Sequence, residues 1–238
     1  MIDVHCHLLP GIDDGPTAIE DSLEMARAAV ADGVSGVICT PHDYPGVFDT
    51  PPAAVIGACR ALGQRFEIED IDLTLRPAAE LRFDLSILER AEAGTLPTLG
   101  VWAGREAVLM EFPSTTLPVG AQGLMRRLLA SGYQPVIAHP ERNAGFLAEP
   151  GYLHALHEQG CRFQITGSAL LGDFGRRAGE LAEYMLGEAL VTFIASDAHD
   201  PVRRPLNLSL ARDRAAELVG ADVAGALVEE NPHELWGH

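Results

Sequence analysis

A chain of 238 residues, 47% of them hydrophobic, can bury one sizeable core, and none of its apolar runs approaches the roughly 20 residues needed to span a bilayer. Its 34 acids against 17 bases leave a formal charge of −17, which excludes nucleic-acid binding through a broad basic surface. The start lacks the basic stretch and long apolar run of a secretory signal, so a cytoplasmic protein is expected.

The first predicted strand covers 2–7. Residues two apart on a strand share a face, so His5 and His7 can grip one ion while Cys6 points the other way, and Asp13, Asp14 and Gly15 follow closely. Taken alone, this pattern equally suits a surface strand with chance histidines. A helix comes next, with Thr17 and Glu20 at capping-box spacing and Ile19, Leu23, Ala26 and Val30 along one face. The strand at 34–40 leads to His42, and the Pro- and Gly-bearing stretch 41–52 is the best candidate for a mobile loop over a site. From Pro52 to Phe66 the chain reads as continuous helix, with Val55, Ile56, Cys59, Leu62, Gly63 and Phe66 at helical spacing.

Strand 72–80 delivers Glu80 and is followed by a short helix over 84–93, and strand 106–112 delivers Glu111 before a helix at 121–131. Strand 135–139 ends in His139, with a helix at 150–160 behind it; strand 161–166 and a helix at 176–188 follow. Strand 191–196 delivers Asp197 and His199 ahead of helices at 205–219 and 222–230. Seven strands interleaved with helices imply a parallel α/β barrel, in which the βα loops converge at one face and carry the chemistry there. No repeat, low-complexity tract or linker divides the chain, so a single domain over 1–238 is expected.

Cysteines at 6, 39, 59 and 161 show no C-x-x-C spacing and read as buried thiols rather than disulfides. Cys59 and Arg65 do match the C-x5-R spacing of cysteine-dependent tyrosine phosphatases. That chemistry needs free backbone N–H groups wrapped around a phosphate, and the expected helix at 52–66 already uses them, so a thiol nucleophile is rejected.

The ordered set His5-x-His7, Gly11-Ile12-Asp13-Asp14-Gly15, Thr40-Pro41-His42, Glu80, Glu111-Phe112, His139-Pro140-Glu141-Arg142 and Ser196-Asp197-Ala198-His199 resembles the polymerase and histidinol phosphatase (PHP) superfamily. Within it the chain looks like the bacterial capsule and exopolysaccharide type of metal-dependent protein-tyrosine phosphatase, over residues 1 to about 232. The resemblance implies a distorted (β/α)7 barrel, up to three divalent ions usually assigned as manganese, and an autophosphorylating bacterial tyrosine kinase as partner. It further implies that His5, His7, Glu80 and Asp197 hold one ion, that Glu80 bridges to a second held by Glu111 and His139, and that Asp14, His42 and His199 hold the third. Imidazole mixed with carboxylate and no thiolate suits manganese, iron or zinc over a structural cysteine-bound zinc, and the preference for manganese among them comes from the resemblance.

Such a cluster implies metal-bound hydroxide as the nucleophile, with no phosphoenzyme, and a tyrosyl leaving group of pKa roughly 10 reduces the need for a strong general acid. Asp14 and His199 are the candidates for any proton transfer. Arg142, three residues after His139, is placed for a bidentate phosphate contact, its bland alternative being an ion pair with Glu141 or a later acid. The resemblance points to a second arginine after His199, for which Arg204 is preferred to Arg203. Arg176 and Arg177, in Phe174-Gly175-Arg176-Arg177, suit either a substrate-peptide contact or a solvated helix end.

One departure stands out: relatives often carry a basic or imidazole residue where this chain has Asp43, which would weaken recruitment of an anionic peptide unless it points away or binds metal itself. His154, His157, His233 and His238 fall outside the pattern, the first two reading as a helix surface. Two alternatives stay open, a small-molecule phosphatase of the histidinol phosphatase type and a non-catalytic regulatory barrel. The second would be signalled by missing ligand positions, and none is missing.

Overall fold

The computed structural model describes residues 1–237. Strand β1 (Ile2–Cys6) leads through α1 (Ile19–Ala31) to β2 (Gly36–Cys39) and a short β3 (His42–Asp43); α2 (Pro52–Ile68) then leads to β4 (Thr74–Pro77) and β5 (Glu80–Arg82). After α3 (Ser86–Glu92) come β6 (Gly100–Trp102), β7 (Arg105–Glu111), α4 (Ala121–Ala130) and β8 (Tyr133–Ala138). A 3-10 turn (Pro140–Arg142), α5 (Ala144–Ala148) and α6 (Gly151–Gln159) precede β9 (Arg162–Thr166), and α7 (Gly167–Leu170) and α8 (Arg176–Gly187) precede β10 (Val191–Ala195). Helices α9 (Leu208–Val219), α10 (Ala221–Val228) and α11 (Glu230–Trp236) finish the described chain.

The fold is α/β with parallel strands. One sheet runs β1-β2-β4, and a larger one runs β10-β9-β8-β7-β5-β3, with β6 antiparallel on β7. The two are continuous in direction: Ala78 N donates to Cys39 O at 2.8 Å and Glu80 N to Pro41 O at 3.1 Å, so β3 and β5 prolong β2 and β4. At the far edge Asp197 N donates to His5 O at 2.8 Å and His7 N to Ala198 O at 2.9 Å, which ties the end of β10 to the end of β1. The expected strands all form, but as two sheets stitched by single hydrogen bonds rather than one unbroken ladder.

Strands buried on both faces read as near-continuous apolar runs, as β7, β8 and β10 do. Their alternate residues serve different cores: Val108 and Met110 pack with the helices, whereas Ala107 and Leu109 join Ile2, Val4, Ile38, Val136 and Phe193 in a second cluster. Leu235 of α11 belongs to this second cluster, with Trp236 packed against it.

Two local expectations on α1 need correcting. The Thr17–Glu20 capping box does not form, because Ala18 is the N-cap and the helix begins at Ile19, leaving Glu20 one position too early to reach back. On α1 the buried face is Ser22, Leu23, Met25, Ala26 and Ala29, and Val30 is exposed. The stretch 41–52 holds β3 and a tight turn in which Tyr44 and Phe48 exchange backbone hydrogen bonds of 3.0 and 2.8 Å. Helix α2 includes Cys59, which is buried and free like Cys6, Cys39 and Cys161, and Arg65 pairs with Glu69 at 3.1 Å, so the C-x5-R pair forms no phosphate cradle. Among the described residues no helix is long and apolar enough to cross a membrane.

Candidate metal centre

Because the strands are parallel, their C-terminal ends open at one face, and the predicted donors arrive there together. His5 comes from β1 and His7 from just past it, His42 from β3, Glu80 from β5, Glu111 from β7, His139 from just past β8, and Asp197 and His199 from just past β10. Asp14 arrives from the loop after β1, where Gly15 passes so close that a Cβ would stand 2.5 Å from His7 O. Two donors sit at sharp backbone turns: His139 at φ 31° and Asp197 at φ 50°, left-handed conformations that cost non-glycine residues roughly 1–3 kcal/mol and concentrate at functional sites.

Glu80 lies at the middle. Its Oε1 is 2.6 Å from His139 Nε2, while its Oε2 is 3.0 Å from His42 Nδ1, 3.4 Å from His5 Nε2 and 3.5 Å from His7 Nε2. Asp197 Oδ1 is 3.4 Å from His5 Nε2 and 3.5 Å from His7 Nε2, and Asp14 Oδ1 is 3.3 Å from His199 Nε2 and 3.5 Å from His42 Nε2. Four sets bring their donor atoms within 4.8 Å of one another: His7, Asp14, His42 and His199; His5, His7 and Glu80; His5, His139 and Asp197; and His42, Glu80 and Glu111. All nine predicted donors therefore belong to one continuous cluster. These sets do not coincide group for group with the three ligand sets implied by the resemblance, since His7 also joins the Asp14 set.

The imidazoles are aimed from behind. His5 Nδ1 faces Gln164 Oε1 at 2.8 Å, His7 Nδ1 faces Asp13 Oδ2 at 2.6 Å, and His199 Nδ1 faces the Asp197 carbonyl at 3.0 Å. These acceptors fix a proton on Nδ1 and leave each Nε2 directed at the cluster, where a cation would replace any proton it carries. Asp13 also accepts from His42 N at 2.9 Å and Gly15 N at 3.0 Å, so this one carboxylate braces the whole first loop. Sequence reasoning missed both braces: Asp13 was visible only as a neighbour of Asp14, and Gln164 only as a polar residue inside a buried strand.

Electrostatics favour cation binding. Burial opposes charge on His5, but Glu80 and Asp197 outweigh it and raise its pKa to about 9; His7 is likewise raised to about 9, burial being outweighed by Asp13 and Glu80. Burial resists charge on Glu80 and Asp197 as well, yet the surrounding histidines, and for Asp197 first of all Arg142, hold both well below the usual carboxylate range. His199 is pushed down by burial and by His7, while hydrogen bonding to His199 lowers Asp14 to about 2. Glu80 Oε2, fully buried, makes no hydrogen bond of acceptable geometry although three imidazoles surround it. An acceptor orphaned among imidazole nitrogens and carboxylates fits an oxygen-and-nitrogen cation site.

Both predicted arginines reach the cluster, and both grip the same atom: Arg142 Nη1 is 2.6 Å and Arg204 Nη2 2.7 Å from Asp197 Oδ2. Their guanidinium carbons lie 4.7 and 5.9 Å from the Phe174 ring centroid. Arg142 does not bond to Glu141, which is fully buried and accepts from Thr166 N at 2.9 Å instead. A third arginine went unpredicted: Arg82 Nη1 is 2.8 Å from Glu111 Oε2. Asp43 accepts from Arg90 Nη2 at 2.7 Å, an ion pair that offsets its expected penalty on anionic substrates. Arg176 is 86% exposed and pairs with Glu180, and Arg177 lines a groove with Leu147, Pro150 and Tyr184. His154 meets the Tyr184 hydroxyl at 2.8 Å and His233 the Glu229 carbonyl, both away from the cluster; His238 lies outside the described residues.

The chain is similar to YwqE of Bacillus subtilis, a tyrosine-protein phosphatase, at 40% identity over 200 residues, covering 84% of this chain and 78% of that protein. The tyrosine-protein phosphatase CpsB of Streptococcus agalactiae is 29% identical over 240 residues, 99% of this chain and 98% of its own length. A solved structure from work on YwqE of Bacillus subtilis and CpsB of Streptococcus pneumoniae, described there as metal-dependent tyrosine phosphatases, superposes with a TM-score of 0.92 at 37% identity, covering 99% of this chain and 94% of that one. A 2-pyrone-4,6-dicarboxylic acid hydrolase from Acinetobacter baumannii shares only the fold, with a TM-score of 0.55 at 15% identity. The family model for capsular polysaccharide synthesis proteins CpsB/CapC matches residues 1–236, and the chain belongs to that family.

Proposed function

We propose that this chain is a metal-dependent tyrosine-protein phosphatase acting in capsule or exopolysaccharide synthesis, on an autophosphorylated bacterial tyrosine kinase. The observation that carries the reading is the buried Glu80 carboxylate, ringed by His5, His7, His42 and His139 and left with an orphaned oxygen. The likeness to YwqE and CpsB supports the reaction class. In our reading the chain is one domain over 1–238, a distorted (β/α)7 barrel working in the cytoplasm. The hydrogen bonds from β10 to β1 support the barrel.

His5, His7, Glu80 and Asp197 would hold one ion, Glu80, Glu111 and His139 a second, and Asp14, His42 and His199 a third. Manganese suits this donor set, with iron or zinc as alternatives. When bound, such ions supply an acidified water as nucleophile and neutralise phosphoryl oxygens. Arg142 and Arg204, carried on Phe174, bind the phosphate by paired N–H donors once Asp197 is otherwise engaged. Asp14 and His199 would both serve the third ion and so hold no proton to give, and the departing phenolate, whose pKa of roughly 10 lets it leave without a strong acid, takes its proton from water.

Manganese-loaded protein is expected to hydrolyse a phosphotyrosine peptide and p-nitrophenyl phosphate, and to lose both activities in chelator. His139→Ala and Asp197→Ala should each lower turnover at least about 100-fold, since each removes an ion ligand. Full activity in chelator, or wild-type rates in both variants, would reject the proposal. Faster turnover of histidinol phosphate than of phosphotyrosine would transfer it to the small-molecule alternative.

A further inference from the structure

Resting on the phosphatase reading, we infer that the cavity between the Tyr44 turn and Phe83 is the slot for the aryl ring of the substrate phosphotyrosine. The cavity measures about 240 Å³ and is lined by Tyr44, Pro45, Arg82, Phe83, Asp84 and Pro113. It adjoins the ion-binding cluster through a single contact: Arg82 lines the cavity and holds Glu111 at 2.8 Å, and Glu111 stands with His42 and Glu80 in one donor group. A tyrosyl ring one ester oxygen away from phosphorus must lie that close.

The lining suits a ring. Its two charged members are already engaged, Arg82 with Glu111 and Asp84 with Ser86 N at 2.7 Å, so two aromatic rings and two proline rings form the remaining wall. The wall is built in advance. Tyr44 is fixed by its two backbone hydrogen bonds with Phe48 and by the Arg82 guanidinium 5.0 Å from its ring centroid, and Phe83 packs edge-on to Phe112 at 5.1 Å.

Two other cavities beside the cluster suit a ring less well. One of about 190 Å³ beside Asp197 is lined by Ser168, Asp173, Ser196, Arg203 and Arg204, and its single aromatic ring, Phe174, is already taken by two guanidiniums. The cleft of about 550 Å³ beyond His199 carries Asp14, Asp21 and Asp200 and offers no Phe, Tyr or Trp. An alkyl ester such as phosphoserine would leave the Tyr44 slot unfilled, so the slot makes the enzyme selective for tyrosyl esters.

Calorimetric titration of the manganese-loaded full chain with phenylphosphonate, methylphosphonate and inorganic phosphate tests this. Wild type should bind phenylphosphonate about tenfold more tightly than methylphosphonate, through burial and stacking of the ring. Tyr44→Ala should shrink that preference to within about twofold while binding inorganic phosphate as wild type does, and Tyr44→Phe should keep it. An undiminished preference in Tyr44→Ala, or one erased by Phe174→Leu instead, would overturn the slot. A wild type that hydrolyses aryl phosphates without any phenyl preference overturns the slot alone; one that neither hydrolyses them nor binds either phosphonate overturns the phosphatase reading with it.

Discussion

Asp13 holds His7 Nδ1 at 2.6 Å and the His42 amide at 2.9 Å, so it governs the aim of two imidazoles without being one of the nine donors. Removing a partner of this kind typically costs 10–100-fold in metal affinity. Asp13→Ala should therefore weaken manganese binding by about that factor, measured by equilibrium dialysis, while Asp13→Asn, which keeps an acceptor oxygen, should lose less. Wild-type affinity in Asp13→Ala would mean that His7 needs no brace. The donors themselves were readable in the chain because His, Asp and Glu directly after short apolar strands are conspicuous. The braces were not, since a 2.6 Å contact between residues six apart and a 2.8 Å contact between residues 159 apart depend on loop path and on strand register. Arg142 shows the same limit: its position after His139 was legible, but its grip on Asp197, 55 residues away, was not.

Two elements are clasped at the site by a buried carboxylate. Asp3 of β1 accepts from Ser196 N at 3.0 Å and from the Ser196 hydroxyl, and burial raises its pKa to about 6. This clasp sets β1 against the end of β10 and so brings His5 and His7 level with Asp197 and His199. Asp3→Ala strands the buried Ser196 donors, an error worth roughly 1–3 kcal/mol per unsatisfied group. The variant should show a lower urea midpoint with an unchanged slope, together with weaker manganese binding; an unaltered midpoint would show that the clasp holds nothing. At this scale the strands and most helices followed from periodicity. The β6–β7 hairpin and the short helices α5 and α7 did not, because a three-residue strand or a helix of four or five residues barely completes one period, and α11 lies beyond the last expected helix.

For the whole molecule, the cluster ties stability to both metal and pH. Protonated His5 and His7, raised to about 9 in the fold against an unfolded value near 6.5, stabilise the protein fully below the unfolded value and lose that contribution as pH climbs through the folded one. In chelator the protein should therefore be less stable at pH 9 than at pH 6.5. Saturating manganese should raise the denaturation midpoint and flatten that decline, because ions replace the protons between the carboxylates. Thermal denaturation at both values, with and without manganese, checks this, and identical profiles would show that no ion binds the native cluster. What the sequence by itself determined was the set of donors and the alternation that carries them, because strand periodicity and residue chemistry are local properties written in order along the chain. Only the tertiary structure decided which donors neighbour which, how Asp13, Gln164 and Asp3 brace them, and where Tyr44 and Phe83 leave room for a ring, because those distances arise from strand pairings and loop paths that join residues far apart in the chain.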